Sequence, residues 1–328
     1  MSKRPTARVF RPTERNISLL ASRLRQGELV AVPTETVYGL AANALDAQAC
    51  QKIFRAKGRP ANDPLIVHIH FLLELSELAV PNPAAWLLAK HFWPGPLTIV
   101  LPKTALVPSI VTSGGGSVAV RMPQHPVFRR LLKAAGLPLA APSANPFGYI
   151  SPTAAEHVRQ NLGSKIHFIL EGGPSRIGLE STIVDLRDPT APRLLRPGAI
   201  SADAIAAVLG TPLTIVRKAA SAHDQHMVAP GMLLRHYSPR TPVVLHEAIR
   251  EIGPADEAYI FMRKPAGRTG RNVFWLDDRG RLSGAARRLF ATLREVDGLR
   301  FRRIHVETAA GDPLADAIND RLRRAASR

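Results

Sequence analysis

Short apolar runs separated by amphipathic stretches set the terms on which this 328-residue chain can fold. Runs at 29–32, 65–69, 97–101, 117–121, 137–141, 166–170 and 182–186 have the length and side-chain character of buried strands. Between them, 47–56, 83–91, 126–135, 153–161 and 202–209 read as helices, with Asp46 and Ser201 placed as N-caps of the first and last. The alternation predicts an α/β fold with a sheet of both strand senses. The rhythm breaks over 210–241, which is rich in Pro, Ala and His and reads as a linker. Within it PGMLLRHYSP carries Met, Leu, Arg, His and Tyr, a composition that implies packing on something. Strands at 243–246, 258–262, 273–276 and 303–306 and helices at 285–296 and 313–324 then form a second, smaller α/β unit. The expected division is 1–209, 210–241 as linker and 242–328, in keeping with the size at which one core gives way to two.

Composition narrows the function classes. No apolar run approaches the roughly 20 residues that cross a bilayer, and the basic start MSKRPTARVFRPTERN has no apolar segment behind it, so neither membrane insertion nor secretion is expected. Cys50 is the single cysteine, which excludes an intrachain disulfide or a multi-thiolate metal site and fits a cytoplasmic protein. No HExxH, no paired-carboxylate pattern and no Ser/His/Asp arrangement is present, and no metal ligand set is assigned. Net charge is +18, which favours a phosphate-bearing partner, nucleotide or nucleic acid, although a solvated Arg-rich surface accounts equally well for many individual arginines.

Five polar clusters sit at the ends of these elements. VPTETVYGL places Thr34, Glu35, Thr36 and Tyr38 after a strand; the residues suit either a local hydroxyl turn or a ligand contact. AKGRPANDPLIVHIH sets Lys57 and Arg59 around Gly58 at a helix end, as a helix-end cap or as a phosphate clamp, with His68 in the strand that follows. TSGGGSVAVRMPQHP leads through Ser117 to Arg121, whose guanidinium suits a carboxylate. APSANPFGYISPT carries Ser143 and Asn145 on a stiff turn and Ser151 and Thr153 before a helix, where either of the latter two can cap. GLESTIVDL and RLLRPGAI supply Ser181 and Arg196. Hydroxyls, cations and a histidine at successive element ends point to a cleft that works by positioning and charge stabilisation, as phosphoryl and nucleotidyl transfer do.

In this order, VPTETVYGLAANA, KGRP…PLIVHI, WPGPLTIVL, VAVRMPQHP, APSAN…SPT and ESTIVDL…LLRPGAI resemble the YrdC-like family, and PGMLLRHYSP with the small C-terminal unit resembles its two-domain threonylcarbamoyl-AMP synthases. The resemblance covers roughly 17–210 and implies a YrdC-like domain with a twisted mixed sheet flanked by helices, plus a smaller Rossmann-like α/β C-terminal domain. It implies a nucleotidyltransferase that makes threonylcarbamoyl-AMP, pyrophosphate and water from L-threonine, bicarbonate and ATP with Mg²⁺. The product would feed a threonylcarbamoyl transferase complex that modifies adenosine 37 of tRNA, and direct tRNA contact is compatible with the charge. It further implies that Thr36, His68, Arg121 and Ser181 hold threonine, with Thr34 and Tyr38 shaping the pocket. Lys57, Arg59, Ser117, Ser143, Asn145, Ser151, Arg196 and Tyr237 would surround ATP. Lys57 and Arg59 would act in catalysis, and His236 with Tyr237 would fold over the site. Asp63, where the family often has Asn, and Gln124, where Asp is common, depart from its pattern. A basic RNA-binding module without turnover is the main rival; a carbamoyl-adenylate enzyme of another kind is the second.

Overall fold

The computed structural model describes residues 7–216, 227–229, 237–267 and 270–327, so His236 and most of the expected linker lie outside the described residues. The larger part runs β1 (Arg8–Phe10), α1 (Glu14–Arg25), β2 (Val30–Val32), β3 (Gly39–Asn43), α2 (Ala47–Lys57), β4 (Ile66–His68), α3 (Glu74–Leu78), α4 (Pro83–Phe92), β5 (Leu97–Pro102), β6 (Ser117–Arg121), α5 (Pro126–Ala135), β7 (Leu139–Ala140), α6 (Ala155–Leu162), β8 (Phe168–Leu170), β9 (Thr182–Asp185), β10 (Arg193–Arg196), α7 (Ala202–Leu209) and β11 (Thr214–Ile215). The smaller part runs β12 (Val243–His246), β13 (Glu257–Arg263), β14 (Val273–Asp277), α8 (Leu282–Gly298), β15 (Arg303–Glu307) and α9 (Leu314–Ala326).

Eleven strands form one sheet in the order β1-β8-β2-β3-β7-β4-β6-β5-β9-β10-β11, with parallel and antiparallel neighbours mixed. Four strands form a second, parallel sheet in the order β12-β15-β13-β14. The architecture is therefore mixed α/β with a smaller C-terminal α/β domain. The sequence pattern assigns nothing to β1, α1, β3 or α3, and it places β11, which pairs with β10 in the large sheet, inside the expected linker. In α1 the signal is present: Thr13 caps Asn16 N, and Ile17, Leu20, Ala21 and Leu24 repeat at helical spacing on the buried face. In β3 it is absent, because Gly-Leu-Ala-Ala-Asn has little β propensity and becomes a strand through pairing with β2 and β7. Asp46 and Ser201 cap α2 and α7 as their positions predict. Neither Ser151 nor Thr153 caps α6; its N-cap position is Ala154, and Thr153 instead contacts the ring of His157.

The two faces of the large sheet are covered unequally, and this places the site. One face packs on α2, α4 and α6 through a continuous apolar core that includes Leu40, Ile53, Val67, Leu88, Ile99 and Val158. On the other face α1 and α5 cover the β8-β2-β3-β7 half, around Leu20, Val32, Phe128 and Leu139. Beyond that cover Ile66, Val100, Ala119, Ile183 and Leu195 form a small apolar patch, on which Ala229 is seated. Helices α8 and α9 pack on one face of the four-stranded sheet, and that core takes in Val37, Ile150, Leu179 and Tyr237 from outside the small domain.

The approach of α8 to the 177–180 loop leaves no room for a side chain at Gly178. Its φ is +83°, and a Cβ there would lie 2.5 Å from Ala286 O and Arg287 Cα. Gly178→Ala is therefore expected to lower stability by at least ~2 kcal/mol, combining left-handed strain with overpacking. Gly58→Ala, at φ +64° with nothing within 4 Å, should cost only about 1 kcal/mol. Denaturant unfolding of the two variants side by side checks this; equal losses would mean that α8 does not press on the loop.

Candidate functional site

The site begins at the turn after β2. Thr34 Oγ1 accepts from the backbone N–H of Thr36 (3.1 Å) and Val37 (3.2 Å) and lies 2.8 Å from Thr36 Oγ1. The local hydroxyl turn is present, and through it Thr34 holds Thr36 towards the cavity that both line. Tyr38 is a correction: its hydroxyl donates to Gly173 O at 2.8 Å, so it braces the back of the turn and does not shape the pocket.

Arg121, at the end of β6, is gripped on three sides. It donates through Nε to Gly95 O (3.1 Å), through Nη1 to Thr36 Oγ1 (3.0 Å) and through Nη2 to Glu35 Oε1 (2.5 Å). Burial alone would raise the Glu35 carboxyl, but the Arg121 charge and hydrogen bonds outweigh it and hold the group below the usual range. Gln124 joins through its backbone N–H to the same oxygen, while its side chain is exposed, so the unusual side chain takes no part in the site. His68 pairs with Arg121 in the β4–β6 register, and its Nδ1 is buried with no partner. Burial, then the nearby Arg121 charge, pushes this imidazole down to about 3, so it is neutral at ordinary pH.

Opposite these, Ser181 Oγ lies 2.7 Å from Thr98 Oγ1 and accepts from Arg196 Nη2 at 3.1 Å. Arg59 follows the left-handed cap Gly58 and donates to Asp63 O (2.9 Å) and Pro64 O (2.7 Å), with the Asp63 carboxylate 2.8 Å from its Nη2. The acid that replaces the family's Asn thus pairs with Arg59. Lys57 Nζ lies beneath the 143–145 turn, donating to Ser143 O (2.5 Å) and Asn145 O (2.6 Å). Burial, then the Arg59 charge, pushes Lys57 well below the ordinary lysine value.

Thr34, Thr36, Arg59, His68, Arg121, Ser143, Ser181, Arg196 and Tyr237 line one cavity of about 50 Å³. Of the other predicted residues, Lys57 and Asn145 lie directly under its Ser143 wall. Ser151 reaches it through Glu180, donating to Glu180 Oε1 at 2.5 Å. Ser117 lies apart, on the same face of β6 as Arg121 but about 13 Å away along the strand. A roomier cleft of about 610 Å³ lies between Pro197–Ser201 and α9, but its lining mixes Asp203, Asp316 and Asp320 with Arg323 and Arg324. Convergence of buried polar groups, not size, marks the functional cavity.

Charge accounting sharpens the picture. Lys57, Arg59, Arg121, Arg196 and Arg321 are buried with Glu35, Asp63 and Glu180, five cations to three carboxylates. Carboxylates pair with Arg59, Arg121 and Arg321, whereas Lys57 and Arg196 have no carboxylate partner among the described residues. A buried surplus of positive charge is costly unless an anion joins it. Sequence reasoning missed Glu180, Thr98 and Arg321. Nothing in PLTIV, GLEST or NDRLR distinguishes them, because their roles come from contacts across the chain.

Comparison with known proteins follows the geometry. Residues 22–198 match the Sua5/YciO/YrdC family model, described as telomere recombination. Residues 200–327 match the model described as the threonylcarbamoyl-AMP synthase C-terminal domain. This chain belongs to the Sua5/YciO/YrdC family, in its two-domain form. The threonylcarbamoyl-AMP synthase of Pyrococcus abyssi is 42% identical over 324 residues, 95% of this chain and 94% of that one. The Bacillus subtilis protein of the same name is 48% identical over 238 residues, covering 72% and 68%. The crystal structure of P. abyssi Sua5 complexed with L-threonine superposes with a TM-score of 0.89 at 39% identity, over 98% of both chains. These relatives make the chain an enzyme of the Sua5 kind.

The buried imidazole yields a pH prediction. The His68 value is about 3 in the folded chain, below the 6.5 of a free histidine. The unfolded chain therefore takes up a proton that the folded one refuses. Stability from this group is complete above pH 6.5 and is lost as pH falls towards 3. His157, pushed down to about 4 by burial and then Arg294, acts in the same direction. His68→Asn should reduce the slope of unfolding free energy against pH by about 1 kcal/mol per unit between roughly pH 6 and 4. Urea unfolding across that range reads it, and an unchanged slope would show that His68 titrates as a solvent-exposed group does.

Proposed function

We propose that this chain joins L-threonine, bicarbonate and ATP into threonylcarbamoyl-AMP and pyrophosphate, and that the catalytic part spans residues 1–209, the linker 210–241 and the C-terminal domain 242–328. The shared cavity supports this reading most directly: hydroxyls and a neutral imidazole converge with Arg196, which has no carboxylate partner among the described residues, and with the Asp63-paired Arg59, while Lys57 lies beneath the Ser143 wall. Arg121 would fork the threonine carboxylate, with Thr36, Ser181 and the free Nδ1 of His68 meeting its polar groups. Lys57, Arg59 and Arg196 would meet the phosphates, with Ser143, Asn145, Ser151 and Tyr237 around them. Ser117, further along β6, would meet the nucleotide where Ala229 now covers the apolar patch of Ile66 and Ala119.

The chemistry needs no protein nucleophile. The threonine amine adds to bicarbonate with loss of water, giving a carbamate. A carbamate oxygen then attacks the α-phosphate and pyrophosphate leaves. The buried cations would offset the charge that grows on the phosphoryl oxygens, in a medium where such interactions are worth several kcal/mol. Glu35, Asp63 and Glu180 are each paired with an arginine, and among the described residues no three His, Cys, Asp or Glu side chains cluster as a metal site. Mg²⁺ would enter with ATP as part of the substrate. A cavity of about 50 Å³ is far below the ~300–1,000 Å³ of small-molecule sites. Tyr237, which lines it, would therefore shift to admit substrate, and its return would shield the labile product from water. The product would pass to a threonylcarbamoyl transferase complex acting on tRNA in the cytoplasm. No helix among the described residues is long and apolar enough to cross a membrane.

The deciding assay is pyrophosphate release with threonine or serine, with and without bicarbonate. Release should require both threonine and bicarbonate. Salt-sensitive tRNA binding with no ATP turnover would favour the RNA-binding reading instead. Arg121→Lys keeps the charge but loses the fork, and should raise the KM for threonine about 10- to 100-fold. Lys57→Met should reduce pyrophosphate release at least about 100-fold with little change in melting temperature, as expected for loss of electrostatic stabilisation of the transition state. Near-normal turnover in that variant would refute the role given to Lys57.

A further inference from the structure

The small domain reaches into the site through one side chain. Arg321, on α9, is fully buried and donates through Nε to Glu180 Oε2 at 2.9 Å and through Nη2 to Glu180 O at 3.3 Å. Its Nη1 donates to Pro197 O at 2.8 Å and to the neighbouring Asp320 at 2.9 Å. Its guanidinium also sits 5.6 Å from the centre of the Tyr237 ring. Each contact falls on or beside a group placed above around the nucleotide. Glu180 holds Ser151 through its other oxygen, Pro197 follows Arg196, and Tyr237 lines the cavity. Tyr237 has a φ of +62°, an unfavourable conformation for a bulky residue that persists where surrounding contacts impose it, here Arg321 and the Phe290 ring at 5.3 Å. Helix α8 contributes from the same side: Arg294 Nε donates to Ser151 O at 3.2 Å, and its Nη2 donates to Ile150 O.

The threonine side is held differently. Arg121 is fixed by Gly95, Thr36 and Glu35, and Ser181 Oγ by Thr98 and Arg196, all in the large domain. The two halves meet at the Arg196–Ser181 bond, whereas Arg121 and Thr36 take their side-chain hydrogen bonds within the large domain alone. A buried ion pair adds little stability over a well-packed apolar pair, but a guanidinium that bonds both the carboxylate and the backbone carbonyl of Glu180 fixes the direction of that side chain relative to its own backbone. Here that direction leaves Glu180 Oε1 facing Ser151.

We propose that Arg321 is a positioning residue for the nucleotide half of the site, and that the C-terminal domain serves the reaction by orienting Glu180, Ser151, Tyr237 and the Arg196–Pro197 turn. The inference rests on the proposed function and assigns the small domain a part in ATP recognition that does not extend to threonine.

The test uses the full-length chain carrying Arg321→Met, and Glu180→Gln with Arg321→Met. The double variant removes the charge left unpaired by the single one while keeping an oxygen that can accept from Ser151. Calorimetry measures the Kd for a non-hydrolysable ATP analogue with Mg²⁺ and, separately, for threonine. The expected result is a rise of at least tenfold in the Kd for the analogue, with the Kd for threonine changed less than threefold. The proposal is overturned if the folded double variant binds the analogue as the wild type does, or if both constants weaken in parallel, as a purely structural role would produce. Wild-type chain that binds both ligands yet releases no pyrophosphate would count against the proposed reaction and leave this split to be judged by the two constants alone.

Discussion

Gathering five buried cations around one cavity beside three buried carboxylates is the constraint to which the rest of this structure answers. A buried charge must be matched or hydrogen-bonded, and here the two solutions are divided among the cations. Arg59, Arg121 and Arg321 are matched by Asp63, Glu35 and Glu180. Lys57 and Arg196 are satisfied by oxygens of the 143–145 turn and of Ser181. Carbonyl oxygens direct a cation but do not neutralise it, so these two keep their attraction for an anion. The downward push on Lys57, from burial and then from Arg59, shows how costly that charge is in the cavity as it stands.

Sheet and covering helices explain why the charges gather where they do. One face of the large sheet is sealed by an apolar core, whereas α1 and α5 cover half of the other. Polar side chains at the ends of β4, β6 and β10 and at the start of β9 meet where that cover stops. The C-terminal domain closes the gap, and its core is continuous with Val37, Ile150, Leu179 and Tyr237. Arg121 is held by the large domain, whereas Glu180 and Tyr237 take contacts from Arg321 of the small one.

Much of this was legible in the linear chain. The strands and helices with clean periodicity appear within a few residues of their expected bounds, and Asp46 and Ser201 cap as their chemistry suggests. Thr36, Arg59, His68, Arg121, Ser143, Ser181 and Arg196 end in one cavity, as their positions at element ends imply. What escaped has physical reasons. The strand Gly39–Asn43 consists of small residues that pairing forces into the sheet. Tyr38 looked like a pocket residue, yet its backbone neighbour Val37 faces the cavity and the phenol turns to Gly173. Ser151 looked like a helix cap and became a ligand of Glu180.

The amino-acid order by itself determined the α/β class and the chemical types available to the site. Periodicity, caps and turn residues act over a few positions, so they can be read without a fold. Tertiary structure alone decided which cation would keep a carboxylate and which would not, which way each hydroxyl faced, and that Glu180 and Arg321 would meet. Those two residues are 141 positions apart. No local rule links them, because burial and pairing are properties of the packed chain.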